Sequence, residues 1–136
     1  MLSRFSQYAL CAAVEMAAAR DRPVTVAEVA RAYKVPPAAL AKVFQQLVRA
    51  GLAHGTRGIG GGYRLARPRA EVTVLDVVSL FEPGRRDVWL DGDRGVAAPA
   101  AGTAPLRRLF DEVDEGVRAT LASVSLDTLV RSRDGP

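Results

Sequence analysis

The stretch Gly55-Thr56-Arg57-Gly58-Ile59-Gly60-Gly61-Gly62 narrows the choice of fold more than any other part of this chain. Five of its eight residues are glycine, and the positive φ values that glycine permits suit a tight reversal of direction rather than a helix interior. On either side, Leu52-Ala53-His54 and Tyr63-Arg64-Leu65 read as two short strands. The segment is therefore predicted to be a glycine-tipped hairpin. A phosphate-cradling nucleotide loop is the other use of such glycines. No Gly-Lys-Ser/Thr follows, however, and Tyr63 stands where a third dinucleotide-type glycine would fall after Gly58 and Gly60.

Upstream, the pattern is helical. From Ser3 to Ala19 the apolar residues Phe5, Ala9, Ala12 and Met16 recur at steps of four, three and four, the period of one helix face, with Ser3 placed to cap it and Pro23 just past its end. Thr25, followed three residues later by Glu28, reads as a capping box that opens a second helix ending at Tyr33, with Val26, Val29 and Ala30 on its inner face. In Lys34-Val35-Pro36-Pro37 the consecutive prolines forbid continuation and favour Pro37 as an early residue of a third helix. That helix runs to Ala50, turns Leu40, Val43, Phe44 and Leu47 inward, and meets Gly51 as its C-cap. Two helices across a short turn, with a supporting helix before them and a hairpin after them, make a winged helix-turn-helix over residues 1–68.

Beyond Pro68 the character changes. Residues 69–83 are predicted to hold a linking helix that Thr73 opens, with Val74, Val77, Val78 and Phe81 inside and Pro83-Gly84 ending it. Residues 84–105 read as a flexible loop: glycine, proline and alanine are frequent and no helical or strand period appears. From Leu106 on, Leu109, Phe110, Val113, Val117, Leu121 and Val124 fall at steps of 3, 1, 3, 4, 4 and 3, a broad apolar stripe on one helix. A chain of 136 residues offers that stripe little to pack against, so residues 106–130 are read as a dimerisation helix and C-terminal segment. The expected fold class is mainly α with a small β-wing.

Length and charge limit the function. A chain of 136 residues, 49% of them hydrophobic, supports one compact domain and not a two-domain enzyme. Residues 1–69 carry eleven Lys/Arg against three acids, a net of +8, while the remainder carries eight Arg against twelve acids, a net of −4. A basic half of this kind suits a polyanion, and nucleic acid is the commonest one. No apolar run reaches membrane-span length and no charged segment leads into an apolar leader, so a soluble, cytoplasmic protein is expected, with no membrane partner. Cys11 is the single cysteine and His54 the single histidine. Neither has neighbours at metal-ligand spacing, and together they leave little for a hydrolytic triad, so neither a metal site nor an enzyme is expected.

The outward face of the third helix holds Ala38, Ala39, Ala41, Lys42, Gln45, Gln46 and Arg49. Glutamine can pair bidentately with adenine, and lysine or arginine can reach guanine or phosphate, so Ala38, Ala39, Lys42, Gln45, Gln46 and Arg49 are the candidates for major-groove contact. From the wing, Arg57, Gly58, Tyr63, Arg64 and Arg67 are candidates for minor-groove and phosphate contact. The candidate dimer contacts are Leu106, Leu109, Phe110, Val113, Val117 and Leu121. Cys11 is open to two readings, a small core residue or a redox sensor, and Trp89 to two more, an anchor for the loop or the wall of a small-molecule pocket. A winged helix that assembles proteins without touching DNA is the alternative for the whole chain, and the +8 first half argues against it.

These motifs together resemble the Rrf2 superfamily of bacterial winged-helix regulators. The resemblance is carried by Arg4-Phe5-Ser6-Gln7-Tyr8-Ala9-Leu10, Val26-Ala27-Glu28-Val29-Ala30, Arg49-Ala50-Gly51-Leu52, the run from Arg57 to Ala66, Val72-Thr73-Val74-Leu75-Asp76-Val77-Val78, and Ser125-Leu126-Asp127-Thr128-Leu129. It implies a homodimer that crosses its long C-terminal helices and sets two winged helices on a roughly palindromic double-stranded DNA operator, and a repressor is the expected role. It further implies an effector, a small molecule or an oxidant. The departures are equally informative. Cluster-binding branches carry three cysteines in the loop after the fourth helix, and residues 83–105 have none. The nitric-oxide-sensing branch has an aspartate just before the tyrosine of the first helix, where this chain has Gln7. An iron-sulfur cluster is therefore not expected. Ala41 and Lys42 stand where a glutamate and a glutamine discriminate operators in a cluster-binding branch, so no operator preference carries over.

Overall fold

Small side chains set the closeness of the first helix pair. In the computed structural model, which describes residues 2–82 and 104–135, helix α1 (Arg4–Ala19) buries Ala9, Ala12, Ala13, Met16 and Ala17 in the core it shares with helix α3 (Pro37–Arg49). Ser3 caps α1 as expected, its Oγ accepting the Ser6 N–H at 3.1 Å. Phe5, expected on the inner face, is 43% exposed and meets Tyr8 edge-on. Trp89 and residues 84–103 of the expected loop lie outside the described residues.

Helix α2 (Val26–Tyr33) starts at Thr25, whose hydroxyl accepts the Glu28 N–H at 3.1 Å. Only that half of the expected capping box forms, because the Glu28 carboxylate accepts from Arg22 at 3.1 Å instead. Lys34 closes α2 in the left-handed conformation, and Pro37 opens α3 (Pro37–Arg49) at its first position. Leu40, Val43, Phe44 and Leu47 are all buried, as the period required. Ala50 is the C-cap, so the helix ends one residue earlier than expected, and Gly51 follows the cap at a φ of +78°.

The wing pairs β1 (Ala53–Thr56) with β2 (Gly62–Leu65) in antiparallel register from Ala53 with Leu65 to Thr56 with Gly62. The strands run nearer the tip than expected. A third participant is a single residue: the Val24 N–H donates to the Tyr63 carbonyl at 2.9 Å, and the Tyr63 N–H to the Val24 carbonyl at 2.7 Å. This pair draws the backbones so close that a Cβ on Gly62 would lie 2.6 Å from the Val24 carbonyl oxygen, and Gly62 has a φ of +144°. Gly62→Ala is therefore expected to destabilise the fold by about 2 kcal/mol. A thermal melt should show a fall of several degrees, and an unchanged melt would mean that Val24 and β2 separate freely.

A 3₁₀ turn (Arg69–Glu71) leads to α4 (Val74–Val78), opened by a complete capping box: Thr73 accepts the Asp76 N–H at 3.1 Å, and the Asp76 carboxylate accepts the Thr73 N–H at 2.9 Å. Val74, Val77 and Val78 are buried, and the helix stops five residues short of Pro83. At the end of the turns that follow, Glu82 accepts from the Ser6 hydroxyl and from the Ser3 N–H, and these bonds hold its carboxyl below its ordinary range despite partial burial.

The expected dimerisation helix stops short of Val124, and the C-terminal segment after it forms a helix of its own. Helix α5 (Ala104–Ala122) ends before Val124, and Ser125 caps α6 (Leu126–Asp134) by accepting the Thr128 N–H at 3.1 Å. The junction pairs with the start of α4: Val74 N–H donates to the Val124 carbonyl and Leu126 N–H to the Val72 carbonyl, both at 2.9 Å. Leu126 and Val130 thereby enter the same core as Met16 and Leu40. Two polar clusters hold α6 against α1: Arg69 reaches Asp127 at 2.8 Å and the Ala17 carbonyl at 3.3 Å, while Glu15 accepts from Arg133 at 2.7 Å and from the Tyr33 hydroxyl at 2.9 Å. Burial and the Glu15 carboxylate push the Tyr33 phenol up to about 12. No helix among the described residues is long and apolar enough to cross a membrane.

Candidate nucleic-acid interface

Because α3 spends one face on the core, its other face carries Ala38, Lys42, Gln45 and Arg49 at steps of four, three and four, all exposed, with Gln46 exposed beside them and Ala39 half-buried. The wing folds back toward this face. A groove of about 400 Å³ lies between them, lined by Gln45, Val48 and Arg49 from α3 and by Gly55, Thr56, Arg57 and Tyr63 from the wing. Four of the residues expected at the interface thus share one groove. Val48, 38% exposed, and Thr56 join them without having been anticipated. The only sequence signal for Val48 was an apolar residue in excess of what the core face needed.

Tyr63 divides its ring between two tasks. It stacks on Phe44, with centroids 4.4 Å apart and planes at 17°, and so lies half-buried in the floor of the groove rather than projecting from it. The buried core of α3 is thus continuous with the base of the wing. Gly58 lies exposed at the tip.

Charge on this surface is of one sign. From Val29 to Ala70 the sequence has no aspartate or glutamate and eight Lys/Arg. Lys42, Arg49 and Arg57 are exposed and make no hydrogen bond or ion pair among the described residues, so an arriving anion displaces no internal partner. Arg64 and Arg67 are exposed too, but each donates to a backbone carbonyl, Arg64 to Asp21 at 3.5 Å and Arg67 to Glu71 at 3.3 Å. Such weak contacts are easily exchanged for phosphate oxygens.

The remaining candidates lie elsewhere. Cys11 is half-buried on α1 at the margin of the core; burial pushes its thiol up and the Glu15 carboxylate one turn away adds to the effect, which disfavours the reactive thiolate. His54 is exposed on β1. On α5 no residue is buried; along the expected stripe Leu109 is 51% and Val113 40% exposed, while Leu106, Phe110, Val117 and Leu121 are half-buried.

Residues 2–132 match the family model described as Rrf2, iron-dependent transcriptional regulator. The HTH-type transcriptional regulator BadM of Rhodopseudomonas palustris, itself named as putative, is 36% identical over 133 residues, 98% of this chain and 83% of its own length. The HTH-type transcriptional regulator IscR of Cereibacter sphaeroides is 37% identical over 139 residues, 99% of this chain and 90% of its own. Among solved structures, CymR, the global cysteine regulator of B. subtilis, superposes with a TM-score of 0.78 at 22% identity, covering 96% of this chain and 95% of that one. The IscR of T. potens gives a TM-score of 0.77 at 21% identity, covering 100% and 88%.

Iron in that family description meets a donor set that does not suit a cluster here. The whole chain has one cysteine, whose thiolate is disfavoured, and one histidine on a different element. Among the described residues no three His, Cys, Asp or Glu side chains gather where they could hold a metal. An iron-sulfur cluster needs several thiolates, and one protomer cannot supply them.

Proposed function

The chain belongs to the Rrf2 family of transcriptional regulators, and from that premise we propose that it works as a cytoplasmic homodimer that represses transcription by occupying an operator, responding to its effector without an iron-sulfur cluster. It is a DNA-binding regulator and not an enzyme. The observation that carries the finer reading is the acid-free surface formed by α3 and the wing, whose cations Lys42, Arg49 and Arg57 have no partner among the described residues. In this reading Ala38, Ala39, Lys42, Gln45 and Gln46 face base edges in the major groove, while Arg49, Arg57, Arg64 and Arg67 hold phosphates and the minor-groove edge. Tyr63 and Gly58 shape the wing that brings Arg57 there.

The exposed Leu109 and Val113 on α5 support the dimer. A helix of 19 residues spans about 28 Å, and a second copy of the same stripe, crossing it about a two-fold axis, would cover the apolar side chains on both. Two heads so joined read an inverted repeat. Selection of genomic fragments by the purified protein tests the whole reading. It should enrich inverted repeats, and Val113→Asp should sediment as a folded monomer that no longer enriches them. Fragments without any shared sequence would overturn the proposal, as would a monomeric wild type.

A further inference from the structure

The wing tip leaves one side chain to explain. Between Arg57 and Tyr63 the chain reads Gly58-Ile59-Gly60-Gly61-Gly62, so Ile59 carries the only side chain in five residues. The Gly61 N–H donates to the Gly58 carbonyl at 2.9 Å and closes a turn with Ile59 and Gly60 at its corners. Gly60 has the φ of +78° that the third position of a type II turn requires, and a Cβ on Gly61 would lie 2.3 Å from the Thr56 carbonyl oxygen. Backbone geometry therefore accounts for these glycines and not for Ile59. That side chain is 109% exposed, twice the exposure of Leu109, the next most exposed large apolar residue described.

We propose that Ile59 is a neutral contact residue that enters the minor groove of the operator at the apex of the wing and packs there against deoxyribose walls and base edges. The inference rests on the reading of α3 and the wing as the DNA-binding surface. A tip bare of other side chains is slender enough for a groove about 6 Å wide. Arg57, immediately before the turn and without a partner among the described residues, supplies the attraction that draws the tip toward the negative potential of that groove. Aliphatic side chains gain in the minor groove by desolvation against sugars and base steps, which phosphate-binding residues do not. A protein partner suits the tip less well, because protein contacts bury contiguous apolar area and Ile59 stands alone among glycines.

The distinguishing property is that isoleucine releases no counterion. Fluorescence anisotropy on a selected operator fragment over a salt series should show that Ile59→Ser binds about tenfold more weakly than wild type at every salt concentration, with the same slope of log affinity against log salt. Arg57→Ala, in contrast, should lower the slope itself. The melting temperature of Ile59→Ser should match wild type, since the residue has no part in the core. If Ile59→Ser binds as wild type does, the inference is overturned while the DNA-binding reading stands. If it lowers the slope as Arg57→Ala does, Ile59 serves only to place Arg57, and the inference is again overturned. Equal DNA binding with loss of a protein retained by the wild type would assign the tip to that protein instead. A wild type without salt-dependent affinity for DNA would remove the underlying reading as well.

Discussion

Raising the salt concentration from about 50 to about 200 mM is expected to weaken operator binding by roughly a thousandfold or more. The expectation follows from the placement of cations, not from their number. Lys42, Arg49, Arg57, Arg64 and Arg67 all belong to α3 or the wing and its exit, are exposed, and share their stretch of chain with no acid. If about three of these five reach phosphate in each of two protomers, about six counterions are released, enough for a loss of that size. Arg57→Ala should lower the slope by about one per protomer, with a larger loss of affinity at low salt than at high salt. A titration by anisotropy measures both. A slope near zero would mean that the surface does not meet a polyanion, and the family membership would then have to be expressed through another partner.

The second large effect is on stability. Phe44→Ala is expected to remove about 3–5 kcal/mol, a large part of the roughly 5–15 kcal/mol that holds a domain of this kind. Phe44 is fully buried, and its ring supports two layers at once, the core beneath α3 and the Tyr63 ring above it. Truncation opens a cavity and also removes the stacking partner of the wing. Urea unfolding should show a midpoint well below wild type. Phe44→Leu, which keeps most of the volume, should recover much of it, and Tyr63→Ala should be milder than Phe44→Ala because Tyr63 is only half-buried. Equal midpoints for Phe44→Ala and wild type would show that α3 is not packed as described.

What the sequence revealed of this architecture depended on whether a feature left a local trace. Pro36-Pro37 and the four-residue steps of α3 are local, and the helix-turn-helix was legible from them. The stacking of Tyr63 on Phe44 was not, because an aromatic residue beside arginines in a glycine-rich hairpin looks like a DNA contact until its tertiary partner is seen. Val24 was also silent: a one-residue strand has no period, and Pro23 before it suggested only a turn. The break between α5 and α6 was hidden by Val124, which continues the spacing of the α5 stripe while its backbone pairs with Val74. Of the interface, the exposed side of α3 was legible because its buried side was. Val48 and Thr56 were not, since their role depends on how the wing leans.

The docking of α6 has a consequence for synthesis. Leu126 and Val130 fill the same core as Ala9 and Met16, so the first and last helices of the described chain must meet before that core is closed. Pairing over such a sequence distance is slow to establish and carries a large loop-closure entropy. A nascent chain with its helix-turn-helix already translated therefore lacks part of the support behind α1 until residue 130 has emerged from the ribosome. The regulator acquires its rigid reading head only after the helix that carries its dimer stripe has been made, and chains that still lack α6 are poor competitors for the operator.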